Sequence, residues 1–320
     1  MITTSFTKLV GVAAPIQLAS MPGIATPDLV AAVADAGGLG MLGAPLMSAD
    51  VLERALQQLS ERTRGVFGVN FLIPFLDPEC VAIAARGARV VEFFYGEPDA
   101  GLIESARAFG ARVGWQVGSL AEAVAAERAG CDFIVVQGTE AGGHVRGETS
   151  LLPLLSEVLD GVRVPVVAAG GIASARSLAA VLACGAGAAR MGTRFVAAAE
   201  SGAHPSYVKA LLTSSAADTC ITDAFSVLWP DAPHRVLRSA IAAAEKLTED
   251  VIGEEIYAEQ LLPVHRFSVS APTSTTTGHV DAMALYAGES VSNVTSVQPA
   301  ARIVSELVAG AERLLRAASG

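Results

Sequence analysis

Residues 164–174 read Val-Pro-Val-Val-Ala-Ala-Gly-Gly-Ile-Ala-Ser, and this stretch holds the pattern that decides the fold. An apolar run of strand length ends at two glycines, and an Ala-rich segment of helical length follows at 174–185. A continuous apolar strand is typical of a parallel sheet whose two faces are both covered by helices. The stretch therefore predicts one strand-helix unit of an α/β protein.

The same unit recurs along the first two thirds of the chain. We predict strands at 15–20, 39–43, 65–72, 89–96, 112–118, 131–138, 164–170 and 187–195. We predict helices at 26–37, 48–60, 78–87, 99–110, 119–130, 150–160, 174–185 and near 205–213. Eight such units indicate an α/β protein of the (β/α)₈ TIM-barrel class.

The repeat stops near residue 214. Residues 214–285 are richer in Ser, Thr, Pro and charge, which predicts an inserted lid or a small second domain. The amphipathic segment 300–318 predicts a last helix that closes against the barrel wall. We therefore assign 1–213 and 286–320 to the barrel and 214–285 to the lid.

Composition narrows the class of partner. Of 320 residues, 52% are hydrophobic and 17% are charged, so the chain can bury a large core. A net charge of -10 leaves no basic surface for a nucleic acid, which favours a small-molecule substrate. The four cysteines are scattered without a C-x-x-C pair, so we expect neither a disulfide framework nor a bound metal.

The N-terminus and the apolar runs of the sequence indicate where in the cell the protein is expected. The N-terminus lacks the pattern of a signal peptide, and no apolar run reaches the ~20 residues that cross a bilayer. We therefore expect a cytoplasmic protein that does not enter a membrane. The sequence leaves the oligomeric state open, with a homodimer among the candidates.

The loop after the sixth predicted strand carries the sharpest chemical signal. Residues 137–147 read Gln-Gly-Thr-Glu-Ala-Gly-Gly-His-Val-Arg-Gly, and barrel enzymes place their active sites at this end of the strands. Glycines allow the backbone to approach a ligand closely, and imidazole titrates near neutrality, so His144 is the candidate general base. The alternative is a loop histidine with a structural role. We expect the other four histidines to be surface or hinge residues.

Several polar or flexible side chains follow other strands at the same end. Met21 lies in a turn of small residues after the first strand, and Asn70, Gln116 and Gln137 end the third, fifth and sixth. Buried amides need hydrogen-bond partners, and a polar ligand would supply them. The alternatives are an ordinary strand-to-helix turn around Met21, a turn cap at Asn70 and a solvated rim at the two glutamines.

Two further loops carry glycines where barrels often bind phosphate. The seventh predicted strand ends at Gly170 and Gly171, and the eighth ends in a segment that contains Gly192 and Thr193. They predict a phosphate cradle, with two ordinary tight turns as the alternative. The run 38–43, Gly-Leu-Gly-Met-Leu-Gly, has dinucleotide spacing, but it follows a helix and leads into Ala44-Pro45, so we reject a Rossmann site.

With these motifs assembled, the sequence resembles the nitronate monooxygenase family, formerly called 2-nitropropane dioxygenases, which are FMN-dependent barrels. The resemblance runs over nearly the whole chain. It lies in residues 15–23, 35–40, 67–70, 137–144, 168–172, 191–195, 219–225 and 286–290. The chain departs from the family pattern at Ser20, at Glu289 and at Val145-Arg146 after the histidine.

The resemblance implies FMN as cofactor and assigns residues to it. Those that would contact the ring and the ribityl chain are Met21, Asn70, Gln116, Gln137 and Gly143. Those that would hold the phosphate are Gly170, Gly171, Gly192 and Thr193. Gly288 and Ser290 would close over the ring, and His144 would be the catalytic base.

The implied activity is oxidation of an alkyl nitronate or a nitroalkane by O₂ to a carbonyl compound and nitrite. An alternative within the same family is NAD(P)H-dependent reduction of a quinone or of an enoyl thioester. A flavin-binding barrel without catalysis is a third. Substrate choice is expected to depend on 214–285 and on aromatic residues that could line a pocket or pack in the core. These are Phe93, Phe94, Tyr95, Trp229 and Tyr286.

Overall fold

The computed structural model describes residues 2–257 and 260–318, and its centre is a closed barrel of eight parallel strands. The strands are β1 Ile16–Leu18, β2 Gly40–Gly43, β3 Phe67–Leu72, β4 Val90–Phe94, β5 Arg112–Val117, β6 Phe133–Gln137, β7 Val166–Ala169 and β8 Ala188–Met191. β1 pairs with β8, and a bridge from Gln17 to Leu39 closes the ring beside β2. The predicted (β/α)₈ barrel is confirmed.

Several of the helices begin next to a residue whose side chain caps them. They are α1 Ser5–Val10, α2 Pro27–Asp35, α3 Ala49–Arg62, α4 Pro78–Gly87, α5 Ala100–Arg107, α6 Leu120–Ala129, α7 Leu151–Gly161, α8 Ala175–Ala183, α9 Thr193–Val196, α10 Pro205–Leu212, α11 Arg238–Ala244 and α12 Ala300–Ala318. Single 3₁₀ turns lie at Ile73–Phe75, Ala216–Asp218, Val280–Ala282 and Glu289–Asn293. The side chains of Thr26 and Ser174, for example, accept the first free amides of α2 and α8.

The eighth place in the ring of helices is taken by α12. Its apolar stripe, which includes Ile303 and Leu307, is buried, and the helix packs between α8 and α2. The segment predicted near 205–213 does form a helix, α10, but its Tyr207 and Leu211 pack in a separate apolar cluster. The predicted closing helix at 300–318 is confirmed.

That separate cluster is the second core of the molecule. It joins α10 and α11 to residues 282–291 and to a three-stranded antiparallel sheet. The strands of this sheet, in spatial order, are Thr219–Thr222, His234–Leu237 and Gly143–His144. A second small sheet contains Gln260–His265, Val251–Tyr257 and Thr277–Gly278. The domain limits given above stay a prediction; positions 1, 258, 259, 319 and 320 within them lie outside the described residues.

Of the helices in the described part of the chain, none combines the length and the apolar character needed to cross a bilayer.

The rejected glycine run 38–43 has a packing role. A Cβ atom at Gly40 would lie 2.3 Å from the carbonyl oxygen of Val30, and one at Gly38 would lie 3.1 Å from that of Ile16. α2 therefore crosses β2 at a distance that only glycine permits. Close packing against α2 at Gly40 and against β1 at Gly38 therefore accounts for two of the glycines that imitate a dinucleotide motif.

Replacing Gly40 by alanine should destabilise the barrel, because the added methyl group meets backbone. We expect Gly40→Ala to lower the free energy of unfolding by about 3 kcal/mol. Gly110→Ala is the control, because its Cβ meets no described atom within 4 Å, although its φ of +85° costs about 1 kcal/mol. Urea unfolding followed by circular dichroism measures both. Equal losses in the two variants would contradict this account of Gly40.

Candidate active site

One cavity of about 320 Å³ opens at the carboxyl ends of the barrel strands. It is lined by all twelve residues that the sequence singled out for the site, so they do meet in space. They are Met21, Asn70, Gln116, Gln137, Gly143, His144, Gly170, Gly171, Gly192, Thr193, Gly288 and Ser290.

His144 is held from two sides by its backbone. From the barrel, Nε2 of Gln137 donates a hydrogen bond to the carbonyl oxygen of His144, 2.9 Å away. From the second core, the strand 234–237 pairs with Gly143–His144, and the amide of Val145 donates to the carbonyl oxygen of Pro233, 2.8 Å away. The loop is therefore an edge strand fixed at both ends.

Aromatic rings surround the imidazole of His144. Trp229 stacks on it with ring centres 4.0 Å apart and an interplanar angle of 26°, and Tyr286 and His234 lie 5.6 and 5.3 Å away. Nε2 of His144 is buried and has no hydrogen-bond partner among the described residues. Burial, and secondarily the neighbouring His234, lowers the pKa of His144 to about 3. The ring is therefore neutral throughout the physiological range.

The expectation that all four other histidines lie at the surface or in hinges is wrong for His234. This side chain is fully buried, its Nδ1 lies 3.0 Å from the carbonyl oxygen of Ala232, and its Nε2 accepts the amide of Phe225. A carbonyl oxygen only accepts, so Nδ1 carries the proton and the ring is neutral. Burial also lowers the pKa of His234. No local pattern around His234 indicates this burial, because the burial arises from pairing with the distant strand Gly143–His144.

Glycines shape the other end of the cavity. Gly170 and Gly171 have φ of +110° and +67°, a region that residues with a Cβ rarely adopt. A Cβ at Gly288 would lie 2.7 Å from the carbonyl oxygen of Glu140, so residues 288 and 140–142 touch through backbone. The amide of Gly288 donates to Oγ1 of Thr193, 3.0 Å away, which leaves the hydroxyl proton of Thr193 able to donate to a ligand.

Charged residues that the sequence analysis did not select line or underlie the cavity. Arg190 lines it, and its guanidinium bonds to Glu92 and Gln116 inside the barrel. Glu255, from the strand 251–257, also lines the cavity, and burial raises the pKa of its carboxyl group. The available signal was a single charge inside an apolar strand, as in Val90-Val91-Glu92-Phe93-Phe94.

Two of the charged residues at which the chain departs from the family pattern, Arg146 and Glu289, do not reach the cavity. Arg146 binds Glu122 and Glu97, with nitrogen to oxygen distances of 2.6 and 2.8 Å, and so anchors the loop to the barrel exterior. Glu289 pairs with Arg235 at 3.1 Å. Neither Arg146 nor Glu289 is among the residues that line the cavity. The charges of both side chains are therefore paired outside the cavity lining, and neither contributes a charge to it.

The aromatic residues divide into two groups. Phe94, Trp229 and Tyr286 line the cavity. Phe93 is fully buried in the barrel core against Trp115, with ring centres 5.0 Å apart. Tyr95 packs edge-on against Trp229 at 4.6 Å and supports it from behind. Trp229 is thus both a wall of the cavity and the surface on which His144 rests.

The chemistry of the cavity suits an organic cofactor with polar edges. Among the described residues no group of His, Cys, Asp and Glu could hold a metal ion. Oε1 of Gln137, Nε2 of His144 and Nε of Arg190 are buried atoms of cavity-lining residues, and no described residue bonds to them. Buried polar atoms without partners favour a bound ligand that supplies them.

Comparison with known proteins shows the family to which the chain belongs. The family model for nitronate monooxygenase matches residues 3–80 and 79–310. The chain belongs to the nitronate monooxygenase family. It is 34% identical to a probable nitronate monooxygenase of Staphylococcus saprophyticus over 270 residues, covering 69% of this chain and 76% of that protein. The chain is therefore an enzyme, a flavin-dependent oxidoreductase, and the resemblance read from its motifs is confirmed.

Other proteins that are similar to this chain are named for different activities. The chain is 38% identical over 237 residues to the (3aS,4S,5R,7aS)-5-hydroxy-7a-methyl-1-oxo-octahydro-1H-indene-4-carboxyl-CoA dehydrogenase of Rhodococcus jostii, covering 74% of this chain and 66% of that one. A FabK mutant from Thermotoga maritima superposes with a TM-score of 0.83 at 31% identity, over 100% and 99% of the two chains. A nitroalkane oxidase from Streptomyces ansochromogenes gives 0.77 at 30%, over 99% and 100%.

The buried imidazole generates a pH prediction. Since burial lowers the pKa of His144 from 6.5 to about 3, the unfolded chain binds this proton more readily. The stability that this group contributes is complete above pH 6.5 and decreases as the pH falls towards 3. In NMR titrations, the His144 ring signals should stay constant from pH 8 to pH 5. His144→Asn assigns the signals, and a midpoint near 6.5 would contradict the burial.

Proposed function

We propose that this enzyme binds FMN in the cavity and oxidises alkyl nitronates or nitroalkanes with O₂ to a carbonyl compound and nitrite. The observation that carries the proposal is the position of His144. Its neutral ring lines the same cavity as the glycine loops after β7 and β8, so a base and a phosphate cradle face one ligand. Such an arrangement suits chemistry at the ring of a phosphorylated cofactor.

The donors that line the cavity suit FMN. Its phosphate would be held by Gly170, Gly171, Gly192 and Thr193, where backbone amides and a hydroxyl proton can bind an anion. Its ring and ribityl chain would lie against Met21, Asn70, Gln116, Gln137 and Gly143, with Gly288 and Ser290 covering them. When bound, FMN would supply the electron transfer of the reaction.

His144 can accept a proton, but its environment makes it a weak base. General bases work best when their pKa lies near the operating pH, and burial holds that of His144 at about 3. A bound anion would favour the charged imidazolium and raise this pKa. The site therefore suits a preformed nitronate, which His144 orients, better than a neutral nitroalkane, from which His144 must take a proton.

Comparing a neutral nitroalkane with its preformed nitronate separates the role of His144 as a base from its role in orienting the substrate. For His144→Asn we expect turnover of a neutral nitroalkane to fall by about 10²-fold or more, because proton removal is lost. Turnover of the preformed nitronate should fall by less than about tenfold, the loss of one hydrogen bond. Oxygen consumption measures both, and the exposed His279→Asn is the control. Unchanged turnover of the nitroalkane in His144→Asn would remove the base role.

Residues 214–285 are proposed to form the lid that selects the substrate. Leu228, Trp229, Glu255, Leu262 and Ser270 of this region line the cavity. Leu228 is 68% exposed while it lines the cavity, which makes this part of the mouth apolar. The lid therefore offers an apolar entrance that a carbon skeleton larger than a small nitronate can use.

This entrance favours a second candidate, an NAD(P)H-dependent reductase of quinones or enoyl thioesters. Leu46, across the mouth, is 62% exposed and also lines the cavity. The Rhodococcus jostii relative is named for a carboxyl-CoA substrate and has the higher identity of the two relatives described above. Both observations point to a bulky apolar group bound at the mouth.

Anaerobic reduction distinguishes the candidates. We expect the flavin absorbance of the purified enzyme to bleach on addition of a propyl nitronate and to remain on addition of NADH or NADPH. Bleaching by a nicotinamide alone would favour the reductase. Flavin that neither compound reduces would support a barrel without catalysis and contradict both enzymatic proposals.

A further inference from the structure

Five polar side chains from five different strands meet at one buried ion pair below the cavity. The pair consists of Glu92 on β4, which is fully buried, and Arg190 on β8, which is 6% exposed. Three further side chains bond to this pair, and together the five form a polar network. They are Gln17 on β1, Asn70 on β3 and Gln116 on β5. Nε2 of Gln17 and Nδ2 of Asn70 each donate to a carboxylate oxygen of Glu92 at 2.9 Å.

Barrel stability does not require such a pair. Taking two charges out of water costs as much as their attraction returns, and apolar residues of similar volume are often as stable. The network also leaves Oε1 of Gln17 and Nε of Arg190 buried, with no partner among the described residues. A costly and incompletely bonded network at the floor of a ligand cavity indicates a functional role.

The ion pair fixes which way two cavity amides face. A carboxylate can only accept, so Asn70 must turn its NH₂ group to Glu92, and its carbonyl oxygen is left for a ligand. A guanidinium can only donate, so Gln116 must turn its carbonyl oxygen to Arg190, and its NH₂ group is left. The cavity floor thus presents an acceptor from β3 and a donor from β5.

We propose that Glu92 and Arg190 are positioning residues of the cofactor site, which orient Asn70 and Gln116 and set the charge of the cavity floor where FMN would bind. This inference rests on the proposed binding of FMN. The reduced ring carries more negative charge than the oxidised one, so a nearby cation favours reduction and a nearby anion opposes it. Glu92 offsets Arg190 and keeps the floor close to neutral.

The experiment removes one charge at a time. Glu92→Gln preserves volume and leaves Arg190 without its counter-charge, so the reduction potential of bound FMN should rise. Arg190→Met leaves Glu92 without its partner, so the potential should fall. Both variants should bind FMN about tenfold or more weakly, because each releases an amide from its fixed orientation.

A third variant keeps the test independent of folding. Loss of one member of a buried pair is strongly destabilising, whereas the double variant Glu92→Gln with Arg190→Met leaves no uncompensated charge. The double variant should return the potential towards that of the unmodified enzyme while FMN affinity stays reduced. Asp28→Asn, which breaks an exposed pair with Arg62, is the control and should change neither quantity.

The measurements are potentiometric titration of the FMN-loaded enzyme and fluorescence titration of the apoenzyme with FMN. Potentials and affinities that match the unmodified enzyme in all variants, with only thermal stability lowered, would reduce the pair to a structural role and overturn the inference. An unmodified apoenzyme that does not bind FMN would instead overturn the proposed function together with this inference. The two failures are therefore distinguishable.

Discussion

A two-residue backbone ladder joins Gly143–His144 to the strand 234–237, and the arrangement of the site depends on it. The loop leaves the barrel after β6, pairs with the second core and returns to α7, so the two cores meet at the histidine. Backbone pairing gives hydrogen-bond partners to the backbone groups of this half-buried segment. It also brings Trp229 and His234 against the imidazole, which excludes water and keeps the ring neutral.

Burial of polar groups gives the cavity its chemical character. His144 is neutral because its charged form would be poorly solvated, whereas Arg190 keeps a counter-charge in Glu92. In the proposed function, His144 would orient an anionic substrate, and the ion pair of Arg190 and Glu92 would position the amides that face the cofactor. Trp229 contributes to the first effect, because it stacks on one face of the imidazole and excludes water there.

The barrel was readable from the sequence because its signals are local. Apolar runs such as 164–169 end at glycines. Barrels of this class often bind phosphate in the loops after the seventh and eighth strands, so Gly170 and Gly192 could be predicted as phosphate-binding residues. The ion pair of Glu92 and Arg190 could not, because it depends on the register of five strands around a closed barrel. The burial of His234 and the packing of α12 in the eighth place likewise follow from contacts between distant segments.

The central claim is that this cavity binds FMN beside His144. The most direct measurement is the visible absorption spectrum of the purified enzyme, followed by mass spectrometry of the molecule that denaturation releases. We predict the bands of an oxidised flavin and the mass of FMN, at one molecule per chain. Release of FAD, or a protein that neither carries flavin nor binds added FMN, would contradict the account.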